Sequence, residues 1–230
     1  MLKNNLIKNC LTEYIPMLIT GVGAFVTAIV FKQPAIQVLP IFVTLFVMLF
    51  NSRANRIGFI IGGCNCFFYF ISFMMQRLYM TAFSGAFNGV VSIISFFMWR
   101  RRAYGKATIF RKLKTSMRIL FVALFLVLWA ITCYITSKNG GNQAILDSFT
   151  GILGFVIPIL TMFAFVEDLP LNLINNFISL VMFILLTLED LGNFPFLFVN
   201  LYNMYMCVKR AITWIKLYKE QNPKTQTKAQ

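Results

Sequence analysis

The chain has 230 residues, of which 59% are hydrophobic and only 12% are charged. Soluble domains average roughly 45–50% apolar and about 25% charged residues, so this composition excludes an ordinary soluble enzyme, a disordered chain and a coiled coil. It indicates an all-α membrane protein that crosses the bilayer several times. Histidine is absent, which removes the commonest general base and the commonest metal ligand.

Eight apolar segments are candidates for transmembrane helices, since a span needs about 20 apolar residues. In chain order they are 14–31, 35–50, 57–75, 80–99, 117–136, 145–166, 169–188 and 194–214. The second is short and contains Pro40, so its ends are the least defined. Most connections are short, but the one from Arg100 to Lys114 is long and basic.

The net charge of +14 is explained by where the basic residues fall between these spans. If the N-terminus is cytoplasmic and the chain crosses eight times, only Lys32, Arg77 and Lys138 lie on the outer side, and the other 18 of 21 basic residues lie inside. This distribution follows the positive-inside rule. The charge therefore predicts a protein of the cell membrane with both termini in the cytoplasm, in contact with anionic headgroups and not with nucleic acid.

Two stretches share a pattern that predicts an internal repeat. In each copy a Trp follows an aromatic residue by 20 positions and an Asn by 11: Tyr79, Asn88 and Trp99 in the first, and Phe194, Asn203 and Trp214 in the second. Each copy holds three spans, so one linking span makes the two copies parallel. The predicted organisation is an N-terminal tail and additional helix (1–34), a first repeat (35–99), a basic cytoplasmic loop with the linking helix (100–136), a second repeat (137–216) and a polar tail (217–230).

The predicted binding residues lie on polar stripes of four spans, two in each repeat. Residues three or four apart share a helix face, and polar groups inside lipid usually face a partner helix or a water-filled cavity. The residues predicted to bind a substrate are Asn65, Tyr69, Asn88, Ser92, Asn172, Asn176, Asn200 and Asn203. Hydrogen bonding between helices is the alternative role, and it is favoured for any single Ser. An Asn on each of four spans favours a cavity for a neutral solute that forms hydrogen bonds.

What the spans lack also constrains function. No Lys, Arg, Asp, Glu or His lies near the middle of a span, which favours a uniporter, because ion-driven carriers usually keep an intramembrane carboxylate. The spans hold no convincing acid–base set, so the sequence predicts no enzyme, no cofactor and no metal site. Most of the five cysteines lie within spans, and no disulfide framework is implied.

One ordered set of residues carries a resemblance to a known family. The set comprises Asn65, Leu78-Tyr79, Trp99-Arg100-Arg101, Asp147-Ser148, Glu167, Asn176 and Trp214, over about residues 35–216. It resembles the nicotinamide riboside/mononucleotide transporter family (PnuC-like), related to SWEET-type transporters. The resemblance implies a three-plus-one-plus-three helix plan. It also implies import of nicotinamide riboside or a related vitamin by facilitated diffusion, with trapping by cytosolic phosphorylation.

The chain departs from the family pattern at one place. The second copy of the family usually carries a Trp-x-x-Trp pair, whereas this chain has Leu169 and Asn172 at those positions. Without two large rings the substrate stays open, and thiamine, riboflavin or a deoxynucleoside are alternatives on the same fold. A non-transport membrane subunit that binds a partner protein is a further alternative. The predicted partners are the small-molecule substrate and the lipid bilayer, and a homo-oligomer is left open.

Overall fold

A computed structural model describes residues 10–101, 103–104, 107–108 and 110–221 of the chain. Within these residues there are eight long α-helices, and the only strands form a small hairpin, Ala103–Tyr104 with Ala107–Thr108. The helices are α1 (Ile15–Val30), α2 (Ala35–Ser52), α3 (Ile57–Met75), α4 (Tyr79–Arg101), α5 (Thr115–Lys138), α6 (Ala144–Met162), α7 (Asp168–Glu189) and α8 (Phe194–Gln221). The predicted all-α membrane fold with about eight helices is confirmed.

Over the described residues, seven helices are long and apolar enough to cross a membrane. The remaining long helix, α8, falls short because it carries Asn, Lys and Arg along its length. Its Asn200 is buried and its Arg210 lines the interior of the bundle. The outer surface of α8 is apolar, with exposed Leu201, Val208 and Ile212. We therefore describe α8 as a membrane helix that turns its polar face inward.

Six helices form a closed ring. Each packs against its neighbours in the order α2, α3, α4, α6, α7 and α8, and α8 packs against α2 to complete the circle. Outside the ring, α1 packs on α8 and α2, and α5 packs on α6. The ring divides into a first half (α2–α4) and a second half (α6–α8), which meet at two seams, α4–α6 and α2–α8. The order of neighbouring helices in the ring stays the same when the halves are exchanged, as a parallel repeat would require.

The α2–α3 and α6–α7 turns share a backbone structure, which the turns after α1 and α3 also adopt, so it does not by itself distinguish the predicted repeat. Each contains an alanine with positive φ, Ala54 at 52° and Ala164 at 58°. Each also closes the preceding helix with an equivalent hydrogen bond, from Asn55 N to Phe50 O at 3.0 Å and from Phe165 N to Leu160 O at 2.9 Å. Both turns lie at the end of the bundle that carries most of the Lys and Arg residues, which we call the basic end.

Helix α2 continues through Pro40 to Ser52, beyond the predicted end at residue 50. Proline has no backbone N–H, so Pro40 leaves the carbonyl of Ile36 without its helical donor. The buried Ser72 hydroxyl of α3 donates to this carbonyl at 3.3 Å. A side chain from the neighbouring helix thus replaces the missing backbone bond, and the helix remains continuous.

Two other bounds differ from the sequence prediction by four residues or more. Helix α6 ends at Met162 and not at 166, because the chain reverses direction through Ala164. Helix α8 extends to Gln221, so that the first residues of the predicted tail (217–230) are helical and Tyr218 packs against the aromatic cluster at the basic end. Residues 222–230 of that tail lie outside the described residues.

The α4–α6 seam is held by a carboxylate and by glycines. The fully buried Asp147 of α6 accepts hydrogen bonds from the backbone N–H groups of Met80 (3.0 Å) and Thr81 (2.9 Å) in the first turn of α4. These N–H groups have no partner within their own helix, so Asp147 caps α4 from the other half of the protein. A Cβ added at Gly151 would lie 2.8 Å from the backbone carbon of Met80, which shows how closely the two helices approach.

Candidate functional site

A cavity of about 310 Å³ lies inside the ring. Its volume falls within the range of about 300–1,000 Å³ that is typical of small-molecule sites. The wall includes all eight residues predicted from the sequence, namely Asn65, Tyr69, Asn88, Ser92, Asn172, Asn176, Asn200 and Asn203. The polar stripes of four separate spans therefore converge on one cavity.

The middle of the cavity is lined by amides whose NH2 groups are mostly turned toward the helices. Asn65 donates from Nδ2 to the carbonyl of Pro40 at 2.9 Å. Asn176 and Asn200 each donate to the backbone carbonyl four residues earlier, at 2.8 and 2.9 Å. Because a carbonyl oxygen can only accept, these bonds fix which way each amide points. These three amides therefore keep their oxygens as acceptors, whereas the Asn88 oxygen already accepts from the Ser92 hydroxyl at 3.1 Å and its NH2 group remains as a donor.

Three of these oxygens have no hydrogen-bond partner. They are the buried Oδ1 atoms of Asn65, Asn175 and Asn203, and all three residues line the cavity. Asn175 lies beside the predicted stripe, but it was not among the predicted site residues. An unsatisfied buried acceptor costs roughly 1–3 kcal/mol. Because these three oxygens have almost no exposed surface, their side chains would have to turn toward the cavity to accept from the N–H or O–H donors of a ligand.

Aromatic rings gather at the end of the cavity away from the basic end. Phe183 of α7 and Phe196 of α8 stack with centroids 5.5 Å apart and planes inclined by 12°. Phe73 of α3 tilts against both, and it stacks on Tyr69 at 5.2 Å. All four residues line the cavity. The sequence analysis singled out only Tyr69, because phenylalanines are so frequent in the spans that none stands out.

A second aromatic cluster occupies the basic end. Trp99 and Trp214, which correspond in the predicted repeat, meet with ring centroids 5.4 Å apart. Phe110, from the loop after α4, packs 4.9 Å from the ring of Trp214, and Phe59 packs 4.8 Å from Trp99. Leu169 is buried in the same cluster. The cavity therefore lies between two aromatic layers, one at each end of the bundle.

A buried ion pair lies between the amides and the Trp cluster. Asp168 accepts a hydrogen bond from the guanidinium of Arg210 and another from Asn172 Nδ2 at 2.8 Å. The guanidinium also lies over the ring of Trp214, 4.2 Å from its centroid. Asp168 is fully buried. Among the described residues that line the cavity, Arg210 alone is charged, and Asp168 neutralises it.

Sequence analysis did not find this pair. Arg210 counts among the 18 basic residues predicted on the cytoplasmic side, no role is predicted for Asp168, and the two are 42 residues apart. The available clue was an acid at the start of one span and a base near the end of the next, at the same membrane level. At the positions where the family usually carries its Trp pair, Leu169 joins the Trp cluster and Asn172 joins the ion pair. In the part of the chain that the structure describes, no group of three or more His, Cys, Asp or Glu residues could hold a metal ion.

Comparison with known proteins agrees with this arrangement of helices. The model of the nicotinamide mononucleotide transporter family matches residues 35–216. The crystal structure of the vitamin B3 transporter PnuC is similar to this chain with a TM-score of 0.75, at 16% sequence identity, over 91% of this chain and 92% of that one. No curated protein matches significantly. Since the family model covers most of a chain whose fold is that of a multi-pass membrane protein, the chain belongs to the nicotinamide mononucleotide transporter family.

Proposed function

We propose that the protein imports a small heteroaromatic vitamin or nucleoside, with nicotinamide riboside as the leading candidate. Transport would be facilitated diffusion, with the product trapped by phosphorylation in the cytosol. The observation that carries the proposal is the cavity itself, which has aromatic rings at one end and an amide wall beside them. A ligand with a flat ring and a polyol matches both parts.

Each part of such a ligand has a defined place. The flat ring would lie against Tyr69 and Phe73, and a pyridinium ring would gain a cation–π interaction of about 0.5–2 kcal/mol there. Ribose hydroxyls and a carboxamide NH2 would donate to the amide oxygens of Asn65, Asn175 and Asn203, which lack partners in the protein. The eight residues predicted from the sequence form part of the wall against which the ligand would pack.

The charge of the cavity favours a riboside over its phosphate. A phosphate monoester brings about −1.5 to −2 charges, and burying such a charge without a partner is very unfavourable. The one cationic side chain in the described wall, Arg210, is already paired with Asp168. A neutral sugar with a cationic or neutral ring avoids this difficulty. We therefore expect the mononucleotide to be a poor substrate.

Alternating access would follow from movement of the first half of the ring against the second. The basic end would face the cytoplasm of a plasma-membrane protein, since the positive-inside rule places Lys and Arg there. This arrangement gives a substrate two routes, one past the Phe73–Phe183–Phe196 layer and one past the Trp99–Trp214 layer.

The test is uptake of labelled compounds by proteoliposomes. We expect nicotinamide riboside to be taken up, and competition by its 5′-phosphate, thiamine, riboflavin and a deoxynucleoside to rank the alternatives. Asn88→Leu and Asn176→Leu should each reduce uptake about 3–10-fold, the value of one hydrogen bond of roughly 0.5–1.5 kcal/mol. Asn139→Leu, at the exposed end of α5, is the matched control. Unchanged uptake in both cavity variants, with the protein folded, would show that the site is wrong.

Binding provides a separate check. A ligand at about 100 times its dissociation constant stabilises the folded protein by about 2.7 kcal/mol, which a thermal-shift measurement detects. If no vitamin or nucleoside changes the melting temperature and none is taken up, the alternative of a membrane subunit that binds a partner protein is favoured instead.

A further inference from the structure

The two seams between the halves of the ring are held very differently. At the α4–α6 seam, Asp147 caps α4 at one end and the indole N–H of Trp99 donates to the carbonyl of Thr161 at the other, at 3.0 Å. Between them the hydroxyls of Thr81 and Thr150 lie 3.1 Å apart. Hydrogen bonds therefore join these two helices at both ends of their contact.

The α2–α8 seam has much less polar contact. In the described residues, one hydrogen bond crosses it, from the hydroxyl of Tyr202 to the carbonyl of Leu45, and it is long at 3.4 Å. The rest of the seam is apolar packing among buried side chains such as Ile41, Val199 and Met206. Apolar surfaces can separate and slide without leaving hydrogen-bonding groups unpaired. If the halves move apart at one seam, the structure favours α2–α8.

A short segment before α1 crosses this weaker seam at the basic end. One carboxylate oxygen of Glu13 accepts a hydrogen bond from Lys209 of α8 at 2.6 Å. The other oxygen accepts from Arg53, in the turn after α2, through Nε at 3.0 Å and through a second guanidinium nitrogen. The Glu13 side chain is 6% exposed. A single buried carboxylate thus joins the first half of the ring to the second.

The segment is anchored more firmly to the second half than to the first. Toward α8, the hydroxyl of Tyr205 donates to the carbonyl of Thr12 at 2.7 Å and Lys209 also reaches the Thr12 hydroxyl at 3.2 Å. Helix α1 itself packs mainly on α8. Toward the first half, the described polar contacts come from Arg53, which also lies 3.3 Å from the hydroxyl of Tyr14. Among the described residues, the segment is therefore held to α8 by several contacts and to the first half through Arg53.

The bond between Arg53 and Glu13 can break while the contacts of the segment with α8 stay in place. The Arg53 side chain is 42% exposed, so water can solvate its guanidinium when the bond to Glu13 breaks. Glu13 would keep its bond to Lys209 and would not be left as an unpaired buried charge, which would be very costly. The geometry allows this bond to open and close while α1 stays in place on α8.

We infer that Thr12–Tyr14 is a latch across the α2–α8 seam, and that the Arg53–Glu13 bond must break each time the cavity opens at the basic end. The inference rests on the proposed transport by alternating access. The latch lies outside residues 35–216, which the family model matches, so it belongs to the N-terminal part of this chain. Glu13 is accordingly a positioning residue, which acts on the closed state and does not touch the substrate.

Cys66, which lines the cavity, reports opening directly. In a background with Cys10, Cys64, Cys133 and Cys207 replaced by Ser, a charged thiol reagent should label Cys66 faster when the cavity opens at the basic end. We expect Glu13→Gln to raise the labelling rate about fivefold, as loss of a partly buried charge-assisted bond would. Arg53→Met should have the same effect, and it leaves the Glu13–Lys209 bond intact if Glu13→Gln does not fold.

Glu167→Gln is the matched control. Glu167 also pairs with an arginine at the basic end, Arg118 at 2.6 Å, but that bond joins α5 to the α6–α7 turn and does not cross the α2–α8 seam. Its labelling rate should equal that of the parent protein. The latch would be refuted if the labelling rate of Cys66 were unchanged in the Arg53 and Glu13 variants, or if it rose equally in Glu167→Gln. Because labelling needs no substrate, such a result is distinct from a failure of vitamin uptake, which would refute the proposed function.

Discussion

Replacing Asp168 by leucine removes the carboxylate that pairs with Arg210. The arginine side chain is only 11% exposed, so its charge would remain largely buried without that partner. Breaking a buried ion pair in this way costs roughly 3–5 kcal/mol. For a chain of this size each kcal/mol shifts the melting temperature by about 2–4 °C, so we expect a fall of about 6–20 °C.

The double variant Asp168→Leu/Arg210→Met separates the stability that comes from the interaction of the two side chains from the stability that each contributes alone. With both charges gone, apolar side chains of similar size fill the space, and such replacements are often neutral or stabilising. Loss of the guanidinium from the face of Trp214 removes about 0.5–2 kcal/mol. The double variant should therefore lose less stability than Asp168→Leu alone, and the departure from additivity measures the coupling of the pair.

Thermal unfolding of the detergent-solubilised protein, followed by tryptophan fluorescence, is the assay, because Trp99 and Trp214 lie beside the pair. Glu167→Leu is the control. Its bridge to Arg118 has one partner 46% exposed, and such pairs contribute only about 0–1 kcal/mol. If the double variant loses as much stability as the two single variants together, the pair is not coupled and the argument from burial is refuted.

Two further variants test how the helices pack. Gly151→Ala should prevent stable folding, because the new Cβ would lie 2.6 Å from an atom of α4 and the nearby backbone cannot move aside. Gly85→Ala should fold normally, since nothing lies within 4 Å of its Cβ. Expression and size-exclusion profiles in detergent distinguish these outcomes. Ser72→Ala should lower the melting temperature modestly, since the Ile36 carbonyl freed by Pro40 loses its donor at a cost of about 1–3 kcal/mol, and an unchanged melting temperature would contradict this role for the hydroxyl.

The sequence alone predicted the helices well, and it also predicted which of their faces meet. Length and apolar composition locate a membrane helix reliably, because the bilayer dictates both. The stripe containing Asn65 and Tyr69 is visible for the same reason, since polar groups in lipid must face inward. Convergence of the eight predicted residues on one cavity follows from that constraint once the helices form a ring. Whether they bind a substrate stays a prediction.

The contacts between distant parts of the chain could not be predicted in this way. Which way the amide of Asn200 points depends on a carbonyl of its own helix, and no sequence pattern encodes that choice. The partners of Glu13 come from two separate places, Arg53 and Lys209, so its role appears only when α1 is packed beside α8. Such bonds depend on the packing of whole helices, whereas hydropathy and periodicity describe one helix at a time.

The cap that Asp147 places on α4 has a consequence for the order of assembly in the membrane. The N–H groups of Met80 and Thr81 have no partner in their own helix, and the carboxylate that binds them is encoded in the second half of the chain. During synthesis, the first turn of α4 therefore has no carboxylate to cap these donors until α6 is inserted. The first three-helix repeat should thus be incomplete as a separate unit, and a chain that ends before residue 147 should be retained by quality control and degraded.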